Sequence, residues 1–250
     1  ITFFPWPRAH KGIPGTGESV NVAFKVPENS QDFWLKRLSD LEIEHSDLFD
    51  VFGNPAIRFQ DPDGLELDFV FDGNAKEKVS GFETTVPVDH AIQGFWSTRL
   101  NLSEAEGTVD VIKDLFGFKE KESKGNLTRF ETEANIGGNL IIETGDDFLG
   151  KGGRGIVHHV AFRAKDIEEL QTLRDSVLSK GLQPTQVIDR HWFKSVYFRE
   201  PGGVLFEMAT DGPGYDSDEE FEQLGEKLVL PPWLEPRRTL IENSLPELNI

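Results

Sequence analysis

Residues Ile188 to Asp211 read IDRHWFKSVYFREPGGVLFEMATD. Two β-favouring runs, Trp192–Arg199 and Val204–Ala209, flank Glu200-Pro201-Gly202-Gly203, which predicts a β-hairpin. Tyr197 and Glu207 are equally far from Gly202, so folding the hairpin sets them opposite each other on one face. A carboxylate among Leu205, Phe206 and Met208 is costly to bury without a partner. What that partner is decides the purpose of the hairpin.

The pattern also occurs earlier in the chain. Ala56–Gly73 (AIRFQDPDGLELDFVFDG) aligns with Ser195–Gly212 (SVYFREPGGVLFEMATDG) at a constant offset of 139. Phe59 falls on Phe198, Pro62 on Pro201, Gly64 on Gly203 and Asp68 on Glu207. Val22–Lys25 likewise aligns with Val160–Arg163, so the chain carries copies of one supersecondary unit. Each copy reads strand, helix, three strands, an α+β class of fold. In the earlier copy we expect a strand at Val20–Val26 and a helix at Ser30–Leu41 with an apolar face of Phe33, Leu35, Leu38 and Leu41. Strands near Glu42–Ser46, Ala56–Phe59 and Leu65–Phe71 complete it. In the last copy a strand at Val157–Ala164 precedes a helix capped by Asp166, running to Ser179 and stopped by Lys180-Gly181. Between them lies another unit: a strand at Ile92–Leu102, a helix capped by Ser103 and ended by Gly117, then strands at Phe118–Glu122, Leu127–Thr132 and Asn139–Glu143. The units that begin near Ile92 and Val157 start about 65 residues apart, and that step back from Val20 reaches about 45 residues upstream of Ile1. ITFFPWP is therefore expected as the last strand of a unit whose beginning is absent, and the chain as N-terminally truncated.

Composition narrows the function. At 250 residues, with hydrophobic and charged fractions of 37% and 28%, the chain is long enough and apolar enough for a real core. Zero cysteines exclude disulfides, thiolate metal sites and cysteine nucleophiles. A formal charge of −18 argues against nucleic acid or an anionic membrane surface as partner. The expectation is a soluble, cytoplasmic protein that acts on something small and not strongly anionic. Arg8–Gly17, Asn74–Asp89 and Asp146–Gly155 read as linkers, and Gly150–Gly155 lacks the spacing of a phosphate-binding loop. From Gly212 the chain reads as a tail, acidic at Asp216–Glu222, with Leu228–Trp233 laid against the body as a strap.

Chemistry concentrates on His158-His159 and Glu207. Neighbours on a strand point to opposite faces, so the two histidines are expected to do different jobs. Where the last unit has His159 and Glu207, the earlier copy has Asn21 and Asp68, so the architecture itself requires neither. Two readings stand: a core histidine with a buried ion-pair partner, or an imidazole and a carboxylate that coordinate a divalent metal. Tyr197 is one of two tyrosines among 20 phenylalanines, and its counterpart Arg58 should simply pair with Asp68.

VHHVAFR, DRHWFKSVYFREPGG, LFEMATDGPG and LGEKLVLPPWLEPRR together resemble the ring-cleaving dioxygenase branch of the vicinal oxygen chelate superfamily, which includes glyoxalases and hydroquinone-type dioxygenases. The resemblance implies βαβββ units paired into half-barrel cups, one of which holds Fe(II), or alternatively Mn(II), on two His and one Glu. It implies His159 and Glu207 as metal ligands and His158, Tyr197 and Arg190 as active-site residues. The remaining ligand comes, in that family, from a His-His-Val-Thr strand of the first unit, absent here; His10, His45, His90 and His191 match no ligand motif. The expected division is 1–85 for the rest of the N-terminal half, 86–212 for the C-terminal half with the metal cup, and 213–250 for the tail. The expected function is Fe(II)-dependent cleavage of a hydroquinone or catechol by O2, with self-association left open. The alternatives are a metal-free module that binds an aromatic ligand, and a glyoxalase-like isomerase or lyase.

Overall fold

The computed structural model describes residues 1–4, 6, 8–73, 85–145 and 148–245. Two compact units divide the chain, one of residues 1–160 with 199–206, the other of residues 161–198 with 207–250.

The first unit holds an eight-stranded sheet. Strand β1 (Glu18–Pro27) leads through a short 3-10 turn into helix α1 (Gln31–Asp40), followed by β2 (Phe49–Val51), β3 (Asn54–Gln60) and β4 (Glu66–Asp72). Trp34 and Leu38, one helical turn apart, bury α1 against Val26, Ile57, Phe69 and Phe71, and the Trp34 indole donates to the His90 carbonyl. Full burial of such side chains stabilises by about 1.5–3 kcal/mol each. The expected apolar face needs correcting: Leu41 is exposed, and Trp34 carries the burial instead. The expected strand at Glu42–Ser46 does not form, because Glu42 takes a left-handed conformation that breaks extended chain. Only the His45–Phe59 bridge remains of it. Strand β2 lies further on, joined to β3 by Phe52-Gly53, both with positive φ. That is the geometry of a two-residue hairpin turn, here with a phenylalanine where Asn or Gly is usual.

The next stretch repeats the arrangement: β5 (Phe95–Leu102), α2 (Glu106–Phe116), β6 (Lys119–Lys124), β7 (Leu127–Glu131) and β8 (Asn139–Thr144). Ser103 is not the cap of α2; Ala105 occupies that place without a side-chain bond, while Gly117 ends the helix in a left-handed conformation as expected. The sheet runs β2-β3-β4-β1-β5-β8-β7-β6. In each half the first strand lies parallel to the fourth, and β1 pairs antiparallel with β5. The expected division at residues 85/86 therefore runs between β4 and β5 of one sheet. Residues 1–4 and 6 form no strand, contrary to the reading of ITFFPWP, whose two prolines lie outside the described residues. The expected linkers at 74–89 and 146–155 lie partly outside them as well.

The same order of elements recurs a third time, and most of it makes the second unit: β9 (Val160–Ala164), α3 (Ile167–Ser179), β10 (Ile188–Asp189), β11 (Lys194–Arg199) and β12 (Leu205–Thr210), with the sheet order β10-β11-β12-β9. Asp166 caps α3 by accepting from the Glu169 amide. Leu170, Val177, Val196, Phe198 and Met208 are fully or almost fully buried. The tail adds 3-10 turns at Tyr215–Ser217, Phe221–Gln223 and Glu235–Arg237 and the short helix α4 (Arg238–Glu242). Among the described residues no helix is long and apolar enough to cross a membrane.

Within the first unit, the turn between β11 and β12 is held by a buried carboxylate. Glu200 accepts from the amides of Gly202 and Val204 and from the Thr108 hydroxyl of α2. A Cβ at Gly107 would stand 2.7 Å from Cβ of Pro201, so α2 meets the turn where it has no side chain. Gly203 follows at φ +100°, a left-handed position that favours glycine.

Candidate active site

In the second unit the hairpin brings three of the expected residues together. The Tyr197 hydroxyl donates to Glu207 Oε1 at 2.5 Å. The Arg190 guanidinium lies 5.5 Å from the centre of the Tyr197 ring and donates to its hydroxyl at 3.4 Å. A second Arg190 contact runs to Ser195 Oγ, also 3.4 Å. Glu207 is 4% exposed, so its orientation is fixed by protein rather than solvent. Desolvation, and after it the bond to Glu207, pushes the Tyr197 phenol above its ordinary pKa. The phenol thus stays protonated at neutral pH and acts here as a donor.

The remaining two residues meet in the first unit. His158 and His159 lie just before β9, outside the strand, so the expected opposite orientation does not apply. Their Nδ1 atoms are 2.8 Å apart and the rings stand edge to face. Such a contact requires a proton on one Nδ1 and a lone pair on the other. With the proton on His159, its Nε2 presents a lone pair, the form a metal ligand needs. Phe4 and Trp6 pack their rings against His158 at 5.3 Å each.

The earlier copy shows the same positions with different chemistry. Arg58 pairs with Asp68 across β3 and β4 through Nε and Nη2 at 2.8 and 2.9 Å. Asn21, at the place of His159, donates to Glu66. Glu66 is also held by Arg99, which reaches Glu143 as well. This face of the large sheet is closed by ion pairs among its own side chains.

Sequence comparison supplies the family. The profile of the glyoxalase/bleomycin resistance protein/dioxygenase superfamily matches residues 83–208. The chain is 36% identical to the "Putative ring-cleaving dioxygenase MhqO" of Bacillus subtilis (strain 168), over 98% of this chain and 78% of that protein. The chain belongs to the glyoxalase/bleomycin resistance protein/dioxygenase superfamily. A further superfamily relative is the chlorohydroquinone/hydroquinone 1,2-dioxygenase of Sphingobium indicum, 29% identical over 94% of this chain and 75% of that one. The crystal structure of a Bacillus subtilis protein named "putative dioxygenase" superposes with a TM-score of 0.94 at 35% identity, covering all of this chain and 80% of the other. The mixed α+β, half-barrel class expected from the sequence is the fold of this superfamily member.

Superfamily membership raises the question of a metal. Imidazole and carboxylate are the donors suited to iron or manganese, and His159 and Glu207 supply one of each. Among the described residues no group of three or more His, Asp and Glu side chains is placed to hold an ion. Two side chains that the sequence did not single out make specific bonds nearby: Ser195 with the Arg190 guanidinium, and Asp218 with His191 and Trp192, the residues that follow Arg190 in the chain.

Proposed function

We propose that this protein is an Fe(II)-dependent dioxygenase that opens the ring of a hydroquinone or catechol with O2. In this reading His159 and Glu207 are two of the metal's ligands, and His158, Tyr197 and Arg190 manage protons and charge. The observation that carries it is the Arg190–Tyr197–Glu207 line of contacts. It stands on one repeat of a superfamily chain 36% identical to a protein named as a ring-cleaving dioxygenase. Its counterpart in the first repeat is the ion pair Arg58–Asp68.

Bound iron would supply a Lewis acid for the substrate's oxygen and a place for O2 beside it. The chain's own residues do the rest. Tyr197 orients the Glu207 carboxylate by donating to Oε1, and an ionised carboxylate is a donor set suited to a hard cation. A phenolic substrate must shed a proton to bind as an anion. An imidazole is the group whose ordinary range allows it to take that proton at neutral pH, the role we assign to His158 at Nδ1, the atom that must first release its hydrogen bond from His159. Arg190, a permanent cation, stabilises the resulting negative charge. Tyr197, kept protonated by burial and by Glu207, keeps its one O–H proton on that carboxylate and so holds it in place while charge develops beside it.

The test is direct. The protein expressed from its complete gene and loaded anaerobically with Fe(II) should consume O2 when given a hydroquinone. His159→Ala and Glu207→Ala should each weaken Fe(II) binding by at least ~10-fold in titration calorimetry. No O2 uptake across a panel of hydroquinones and catechols, from protein that holds iron, would sink the proposal.

A further inference from the structure

The acidic run after Gly212 reads in sequence as a solvated tail, yet one of its carboxylates has a specific place in the second unit. Asp218 Oδ2 accepts from His191 Nε2 and from Trp192 Nε1, each at 2.7 Å. A carboxylate only accepts, so His191 carries its proton on Nε2. Three more contacts come from the same tail. The Gly214 amide donates to the Trp192 carbonyl, Tyr215 stacks on the Trp192 indole at 5.4 Å, and Trp233 meets the His191 ring edge-on at 6.0 Å.

His191 and Trp192 are the middle of the turn that joins β10 to β11. Asp189 pairs with Lys194, and the Arg190 amide donates to the Phe193 carbonyl, leaving four residues to reverse the chain. His191 does so at φ +73°, a conformation that needs outside support in a residue with a side chain. Arg190 is the first residue of this turn. Its bonds to Ser195 and to the Tyr197 hydroxyl are both 3.4 Å, at the long limit, so a small shift of the turn would break them.

We infer that Asp218 is a positioning residue for Arg190: by holding His191 and Trp192 it fixes the turn that keeps the guanidinium on Tyr197. The inference rests on the proposed function only for its kinetic readout. If Asp218 merely tied down the tail, its loss would lower stability and leave Arg190 in place.

Asp218→Ala and Asp218→Asn separate these roles, since one amide oxygen can still accept from both rings. With a hydroquinone, Asp218→Ala should lose about 10-fold in kcat with a smaller change in KM, the scale of a misplaced catalytic group. Asp218→Asn should recover most of it. Independently of turnover, the Arg190 Nε–H resonance, assigned by its loss in Arg190→Lys, should move in Asp218→Ala and return in Asp218→Asn. Trp192→Phe, which keeps the ring stack but removes one donor, should move it the same way to a lesser extent, and decides the matter if Asp218→Ala does not fold. An unmoved resonance in the folded variants overturns the inference. A moved resonance in a protein that turns over no hydroquinone sustains the positioning role and sinks the proposed reaction instead.

Discussion

Tyr197 and Glu207 face each other across β11 and β12, the phenol donating to the carboxylate at 2.5 Å, where the first repeat sets Arg58 against Asp68. One position thus holds a neutral donor in one copy and a cation in the other. A neutral donor orients a carboxylate without cancelling its charge, and a guanidinium does both.

Replacing Tyr197 with Phe removes that donor from a carboxylate that is 4% exposed. The expected cost near pH 8 is about 1–2 kcal/mol. The raised phenol pKa adds a pH signature. The folded state keeps this proton where the unfolded state has released it. The contribution is therefore complete below the unfolded value of about 10 and is lost as pH rises through the folded one. Wild-type Tm should fall more steeply than that of Tyr197→Phe between pH 9 and pH 11, as read by thermal melts. Parallel curves would show that Tyr197 titrates normally.

Asp68 is 3% exposed and held by Arg58 through Nε and Nη2. Removing the cation alone strands a buried charge, so Arg58→Met should destabilise by about 3–5 kcal/mol. Arg58→Met with Asp68→Leu removes both charges, and should recover most of that loss in urea unfolding. Because this repeat has Asn21 in place of the imidazole, iron binding by the folded double variant should equal wild type. Loss of iron from a fully folded double variant would place metal chemistry in the wrong repeat.

Gly107→Ala sets two effects against each other. Alanine in a helix is favoured over glycine by about 1 kcal/mol. The new Cβ, however, would stand 2.7 Å from Cβ of Pro201, a rigid ring that cannot swing away. Overpacking of this kind costs about 1–3 kcal/mol. The steric effect should win, lowering Tm. A stabilised variant would mean that the turn carries slack against α2.

Much of this was legible in the sequence because the repeat constrains it twice. The hairpin, its Glu-Pro-Gly-Gly turn, the Tyr197–Glu207 pair and the Arg58–Asp68 pair all follow from period-two alternation around a marked turn. The β2–β3 turn was not legible, since Phe52-Gly53 takes positive φ at a phenylalanine that tertiary burial holds in place. The strand assigned to Glu42–Ser46 failed for the converse reason, a left-handed Glu42 in a segment with no glycine to announce it. The two histidines touch because β9 starts one residue after them, and strand boundaries are where alternation gives least warning. Asp218 was hidden in an acidic run, where composition says solvent and only tertiary structure shows two indole and imidazole donors.

Glu200 offers the sharpest test of the turn that supports the hairpin. Burial pushes its carboxyl above the ordinary range, and the opposing pull of Thr108, Gly202 and Val204 does not fully cancel this. The sign follows. A raised folded pKa means the folded state binds the proton more tightly. The stabilising contribution is then complete below the unfolded value of about 4.3 and is lost as pH rises through the folded one. Glu200→Gln does not titrate and places an NH2 against a donor, so it should be less stable by about 1–3 kcal/mol. Its deficit should be largest at acid pH and narrow as pH rises towards neutrality. Thr108→Val removes one donor to the ionised form, which should raise the carboxyl further and move the sloping region to higher pH. Urea unfolding of all three proteins from pH 4 to pH 7.5 measures each slope. A Glu200→Gln deficit that widens with pH would mean that the three donors outweigh burial, and that the turn is held by a carboxylate ionised more readily than in water.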